Sequence, residues 1–158
     1  GARRAALGDQ GSADLPGRFP AAGGAARRLF RHRAAGHSHR LRGRRGGRVE
    51  LAGTPYLLVS GTASIVGHES RHVGDVGAQA LEALDNVRAV IRNADCWRDA
   101  QGLGALECLK AYIRDPEQAP IVAEIAATQA PGVPLALLHA PLCRPELLVE
   151  FEAQMRLE

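Results

Sequence analysis

From Val49 onward the alternation of apolar and polar positions changes period from segment to segment, and the changes mark the elements. Val49 and Leu51, a turn at Gly53-Thr54-Pro55 and the run Tyr56-Leu57-Leu58-Val59 predict a hairpin leading into a buried strand. Gly61 and Gly67 bracket the short apolar piece Thr62-Ala63-Ser64-Ile65-Val66. Asp75 can cap a helix running to about Asn93, because Val76, Ala80, Leu84, Val87 and Ile91 recur at helical spacing on one face. Residues 105–114 predict a strand. Asp115-Pro116 then supplies a cap and a first-turn proline for a second helix through Gln129, with Ile121, Val122 and Ile125 inward and Pro131-Gly132 ending it. Two strands, about 135–140 and 147–156, close the chain. The last alternates strongly, with Leu148, Glu150, Glu152 and Gln154 facing one way and Val149, Phe151, Ala153 and Met155 the other. The order ββαβαββ predicts an α+β domain, a mixed sheet with two helices on one face.

Charge divides the chain at the same place as pattern does. The formal net charge of +3 conceals a net +10 over residues 1–48, with 12 Arg, no Lys and no Glu, against a net −7 over residues 49–158. The first 48 residues also hold 10 Gly and 10 Ala, and their few apolar residues follow neither helical nor strand period. Such a segment is expected to bury too little apolar surface to offset its chain entropy. A basic arm for nucleic acid is one reading of the arginines. The absence of Lys, in a composition drawn from GC-rich codons, favours a non-globular or out-of-frame segment instead, and nucleic acid is not the expected partner.

No apolar run approaches the roughly 18 residues of a membrane span, so no membrane partner is expected. Three cysteines, Cys96, Cys108 and Cys143, without C-x-x-C spacing argue against a disulfide framework or a structural zinc site and point to a reducing, cytoplasmic setting.

His68-Glu69-Ser70-Arg71-His72 spells H-E-x-x-H, which on a helix would place two imidazoles for zinc beside a glutamate base. The context opposes it: a strand ending in Gly67 precedes the motif, Val73-Gly74 follows, and Asp75 and Ala78 stand where a metzincin extension needs Gly and His. Neither metal nor cofactor is expected.

The Ser60-Gly61 pair, the helix bearing Gln79 and Leu84-Asp85-Asn86-Val87, the strand end Ala111-Tyr112-Ile113-Arg114-Asp115 and the terminal Val149-Glu150-Phe151-Glu152-Ala153 resemble the RidA/YjgF fold, a chorismate mutase-like α+β architecture. A narrower resemblance runs from Ser60 through His72 to Gly74-Asp75 and is to the chorismatases, chorismate-hydrolysing relatives of RidA sometimes labelled pteridine-dependent deoxygenases. It covers about residues 49–158. Chorismatases are about twice as long, with an amino-terminal RidA-like half that this chain is expected to lack. Imine deamination is disfavoured, because the carboxylate-binding arginine of RidA proteins falls here on about Leu135.

The resemblance implies cleavage of the enolpyruvyl ether of chorismate to pyruvate plus 3-hydroxybenzoate or a dihydroxycyclohexadiene carboxylate. Protonation of the enol methylene carbon needs a carboxylic acid kept protonated by a poorly hydrated site, and Glu150 matches the glutamate the family uses. By pattern alone Glu150 is one of three acids, with Glu146 and Glu152, on a solvated strand face. Cys143 matches a cysteine of the hydroxybenzoate-forming branch; a buried inert thiol is its other reading. Arg71 and Arg114 are candidates to grip substrate carboxylates, His68 and Tyr112 to bind substrate, and Ala63 to leave room for the ring. Besides the chorismate-cleaving enzyme, a non-catalytic RidA-like oligomeric binding module fits the same residues. The resemblance further implies a homotrimer or pairing with a second RidA-like half.

Overall fold

A computed structural model describes Arg28–Leu29, residues 45–96 and residues 101–157. Most of the expected non-globular segment 1–48 lies outside the described residues, as do residues 97–100 and 158.

The strands are β1 (Arg28–Leu29), β2 (Gly46–Leu51), β3 (Thr54–Ala63), β4 (Ile65–Val66), β5 (Glu69–Ser70), β6 (Cys108–Ile113), β7 (Leu135–His139) and β8 (Val149–Arg156). Among the described residues the α-helices are α1 (Val76–Asn93) and α2 (Ala119–Gln129). Six strands form one mixed sheet in the order β1-β2-β3-β8-β6-β7, and β4 and β5 form a separate small hairpin. Among the described pairs only β6 and β7 are parallel, the crossover between them carrying α2.

The alternation of β8 is realised along its length. Val149, Phe151, Ala153 and Met155 are buried beneath the helices, while Glu150, Glu152 and Gln154 lie on the opposite, open face. Phe151, with no exposed surface, contributes about 1.5 to 3 kcal/mol by leaving water. Asp75 caps α1 as predicted, its Oδ1 accepting from Ala78 N at 2.9 Å. Val76, Ala80, Leu84, Val87 and Ile91 are all buried, against β3, β8 and α2.

The structure corrects several boundaries. Strand β2 starts at Gly46 and pairs with β1 at Arg28–Leu29, so the sheet takes in strands from both sides of position 48. The piece bracketed by Gly61 and Gly67 splits between the end of β3 and the β4–β5 hairpin. Residues 102–105 form a 3-10 turn before β6, and Asp115 caps a second 3-10 turn, Pro116–Gln118, rather than α2 directly. On α2, Val122 is buried and Ile125 partly so, but Ile121 is 48% exposed. That helix is apolar nearly all round, so its pattern does not single out the inward face.

Candidate active site

Glu150 sits in a row of three of the predicted residues. The β3–β8 register sets Ala63 opposite Glu150, and the β6–β8 register sets Tyr112 opposite it on the other side. An irregularity in β3 creates this alignment. Between the pairs Val59–Ala153 and Thr62–Phe151, β3 advances three residues while β8 advances two, so the extra residue forms a bulge at Ser60-Gly61. Thr62 is thereby turned to the buried side, and Ala63 takes the position next to Glu150.

The bulge also brings backbone against the carboxyl group. A Cβ built on Gly61 would overlap Glu150 Oε1 and come within 2.7 Å of its Cδ. Arg45 reaches the same residue from the chain just before β2, its Nη1 donating to Gly61 O. Burial pushes the Glu150 carboxyl above the usual glutamate range; the Arg45 charge pulls the other way, and the Glu152 charge adds to the rise. Glu152 is differently surrounded. Tyr112 Oη donates to its Oε2 at 3.0 Å, and Lys110 Nζ lies 3.6 Å from the same oxygen. The hydrogen bond to Glu152 also raises the Tyr112 phenol, with burial and the charges of Glu152 and Glu150 adding to it.

Three of the four remaining candidates come from two loops at the same end of the sheet, where β3 and β6 finish and β8 starts, and the fourth, Arg114, directly follows β6. His68 lies in the β4–β5 turn and Arg71 just after it; Cys143 is exposed in the loop between β7 and β8. The two loops are bonded to each other. Arg144 Nη1 donates to His68 O at 2.9 Å and to Ser70 Oγ at 3.0 Å, and Ser70 Oγ donates to Glu146 Oε1 at 2.7 Å. The Ser70 hydrogen bond holds the Glu146 carboxyl below the usual glutamate range, helped by a backbone hydrogen bond. Arg114 ties the second loop to β6, Nε donating to Leu147 O at 2.8 Å and Nη2 to Arg144 O and Leu142 O at 2.7 and 3.2 Å. Arg71 Nη2 meets Glu69 Oε2 at 3.1 Å in an exposed pair. Among the described residues, no hydrogen bond or ion pair joins Arg71 or Cys143 to Glu150.

Beneath both loops lies Gln79, fully buried on α1. Its Nε2 donates to Glu146 O at 2.9 Å and His72 O at 3.2 Å, and its Oε1 accepts from Leu148 N at 2.8 Å. Asn86, about two turns further along the same face of α1, donates to Ala63 O and Ile65 O at 3.0 and 3.2 Å. Gln79, Asn86, Gly61 and Arg45 were not read from sequence as site residues. The signal for the first two was available: an amide on the apolar face of a helix must find partners when buried.

The H-E-x-x-H spelling falls on a hairpin and not on a helix. Glu69 faces Arg71, and His72, with φ of 55°, sets its Nε2 3.5 Å from Glu82 Oε2. A groove of about 490 Å³ runs along the open face between β2, β3, β8 and β6, lined in part by Leu58, Ser60, Cys108, Lys110, Glu152 and Gln154. It adjoins Glu152, but none of the seven residues predicted for the site lines it.

Over 101 residues the chain is 39% identical to a protein named 3-hydroxybenzoate synthase from Streptomyces hygroscopicus, a match covering 61% of this chain and 30% of that protein. The chain therefore spans about a third of the length of the curated relatives it matches. A solved chorismatase structure superposes with a TM-score of 0.62 at 33% identity, covering 71% of this chain and 35% of that one. A member of the conserved Rid protein family from Yersinia pestis gives a TM-score of 0.62 at 17% identity, over 84% of this chain and all of that one, which speaks for the fold alone. No family model matches the chain. The mixed sheet with its two helices is the Rid/YjgF fold, and in sequence the domain is related to part of the chorismatases.

Proposed function

We propose that the domain is the part of a chorismatase-type enzyme that carries the proton donor, and that this donor is Glu150. The observation that supports it is the setting of the Glu150 carboxyl: half-buried between Ala63 and Tyr112, against the backbone of Gly61, and pushed by burial toward its protonated form. An enol ether is cleaved by adding a proton to its methylene carbon. Glu150 gives up that proton and becomes a carboxylate, and the new C–H bond leaves an oxocarbenium ion on the pyruvyl carbon. In the hydrolytic branch water adds there and returns a proton to Glu150; the hemiketal then collapses to pyruvate and the ring alcohol. Low hydration serves the first step, since a solvated carboxyl would be ionised at neutral pH.

Arg71 on its exposed loop is the better of the two arginine candidates for a substrate carboxylate. The Nε and Nη2 groups of Arg114 already serve three backbone carbonyls, so its first task is to shape the loop carrying Cys143. Cys143 is the residue through which this domain would choose the ring product, and Ala63 leaves room for the ring beside Glu150. The wider assembly, a homotrimer or a pairing with a second RidA-like half, belongs to the same proposal.

One observation favours a second reading, a binding module without catalysis: the open-face groove lies apart from the Glu150 row. Incubating the chain with chorismate and following pyruvate by a coupled assay, with chromatographic identification of the ring acid, separates the two. Pyruvate with a stoichiometric ring acid supports the enzyme. Saturable chorismate binding without pyruvate supports the module.

A further inference from the structure

Several carboxylates line the open face, and only Glu150 lies over a bulge. Its Oε1 occupies the volume that a side chain at position 61 would need, so the carboxyl can lie where it does only because residue 61 is glycine. The backbone of Gly61 is not in the left-handed region, so the requirement is for space and not for conformation. Arg45 meets the same residue from the neighbouring chain, donating Nη1 to Gly61 O. The arginine is itself anchored, because Ser60 N and Ser60 Oγ both donate to Arg45 O, at 2.8 and 3.2 Å. Carboxyl and guanidinium thus converge on Gly61 from different parts of the chain, β8 and the segment before β2.

We propose that Gly61 and Arg45 are positioning residues for the Glu150 carboxyl: Gly61 leaves the space in which it lies, and Arg45, bonded to Gly61 O, stands as the positive charge that holds it there. The proposal rests on Glu150 as proton donor and adds two residues to that site, one of them within the Arg-rich segment. A donor to carbon must be protonated at the start of the cycle and stable enough as an anion to let the proton go. Burial serves the first need and Arg45 the second. The charges that act on the carboxyl are Arg45 from the chain before β2 and Glu152 from its own strand; Tyr112 of β6 stands opposite it as a titratable neighbour, and its β3 neighbours, Gly61 and Ala63, carry no charge.

The test is a carboxyl-carbon NMR titration of Glu150 in the full chain, assigned with Glu150→Gln and run beside chorismate turnover. Arg45→Gln is expected to move the Glu150 titration to higher pH, and Arg45→Lys to bring it back toward the wild-type position. Gly61→Ala is expected to displace the Glu150 carboxyl resonance and, through misplacement of the donor, to lower kcat about 100-fold with the far-UV spectrum unchanged. A Glu150 titration that is the same in wild type and Arg45→Gln overturns the role of Arg45. A Gly61→Ala protein with an unmoved resonance and full turnover overturns that of Gly61. If the titration responds as expected but no variant, nor wild type, cleaves chorismate, the positioning stands and the donor assignment alone fails.

Discussion

Tyr112 stands opposite Glu150 in the β6–β8 register, yet its hydroxyl donates to Glu152, at 3.0 Å. The two carboxylates share a strand face and divide its chemistry. Glu152 has a phenol and an ammonium group beside it, whereas Glu150 is pressed against a glycine, with the Arg45 charge acting against the effect of burial. In the proposed function it is environment, and not residue type, that sets Glu150 apart from Glu152 as the acid.

Glu150 and Glu146 are expected to show opposite pH behaviour. The folded-state pKa of Glu150 is raised, so the unfolded chain releases this proton first. Its contribution to stability is full below the ordinary glutamate value and is lost as pH rises through the raised value. Glu146 is lowered, so its contribution is present above the ordinary value and is lost as pH falls through the lowered one. Urea unfolding across pH checks both: Glu150→Gln should gain stability relative to wild type as pH rises through the Glu150 transition, and Ser70→Ala should lose most of the acid-side dependence.

Gln79→Leu removes the amide that holds both site loops. The His72, Glu146 and Leu148 backbone groups lose partners beneath the loops, and the expected loss is roughly 2 to 4 kcal/mol. Equilibrium urea denaturation measures it. A loss under 0.5 kcal/mol, on the order of an ordinary surface substitution, would show that water replaces the amide and that the loops are held by other bonds.

The two arginines should part company. Arg71→Ala removes only an exposed pair with Glu69, worth about 0 to 1 kcal/mol, and should raise KM for chorismate with thermal stability nearly unchanged. Arg114→Ala leaves the Leu142, Arg144 and Leu147 carbonyls without their guanidinium and should lower the melting temperature. Thermal unfolding and steady-state kinetics on both variants check the contrast.

Cys143 is exposed in the loop preceding β8, and Cys143→Ala should change the ratio of 3-hydroxybenzoate to diol more than total pyruvate. Chromatography of the ring products reads that ratio directly.

Much of the scaffold was legible in the chain. Asp75 with five apolar residues at helical spacing marked α1, and the alternation from Val149 to Met155 marked β8 and placed Glu150 on the open face. The arrangement of the site was not legible, for two physical reasons. The bulge at Ser60-Gly61 shifts the β3 alternation by one residue, and only this shift makes Ala63 the neighbour of Glu150; a local pattern does not reveal a register change that depends on the partner strand. The bonds from Gln79 to Glu146 and Leu148, and from Arg144 to Ser70, join residues far apart in sequence, so no spacing rule reports them. On α2 the cause was different: Ile121 and Val122 are equally apolar, and packing against β7 and α1 chose Val122.

The central claim, that Glu150 donates the proton to the enolpyruvyl carbon, is tested most directly by pyruvate release from chorismate in Glu150→Gln beside wild type, with chorismate binding measured in both. The amide keeps the shape and the space against Gly61 but has no proton to give. Pyruvate release should fall by about 100- to 10,000-fold while binding stays near the wild-type value. A Glu150→Gln protein that binds chorismate and releases pyruvate at the wild-type rate would contradict the account.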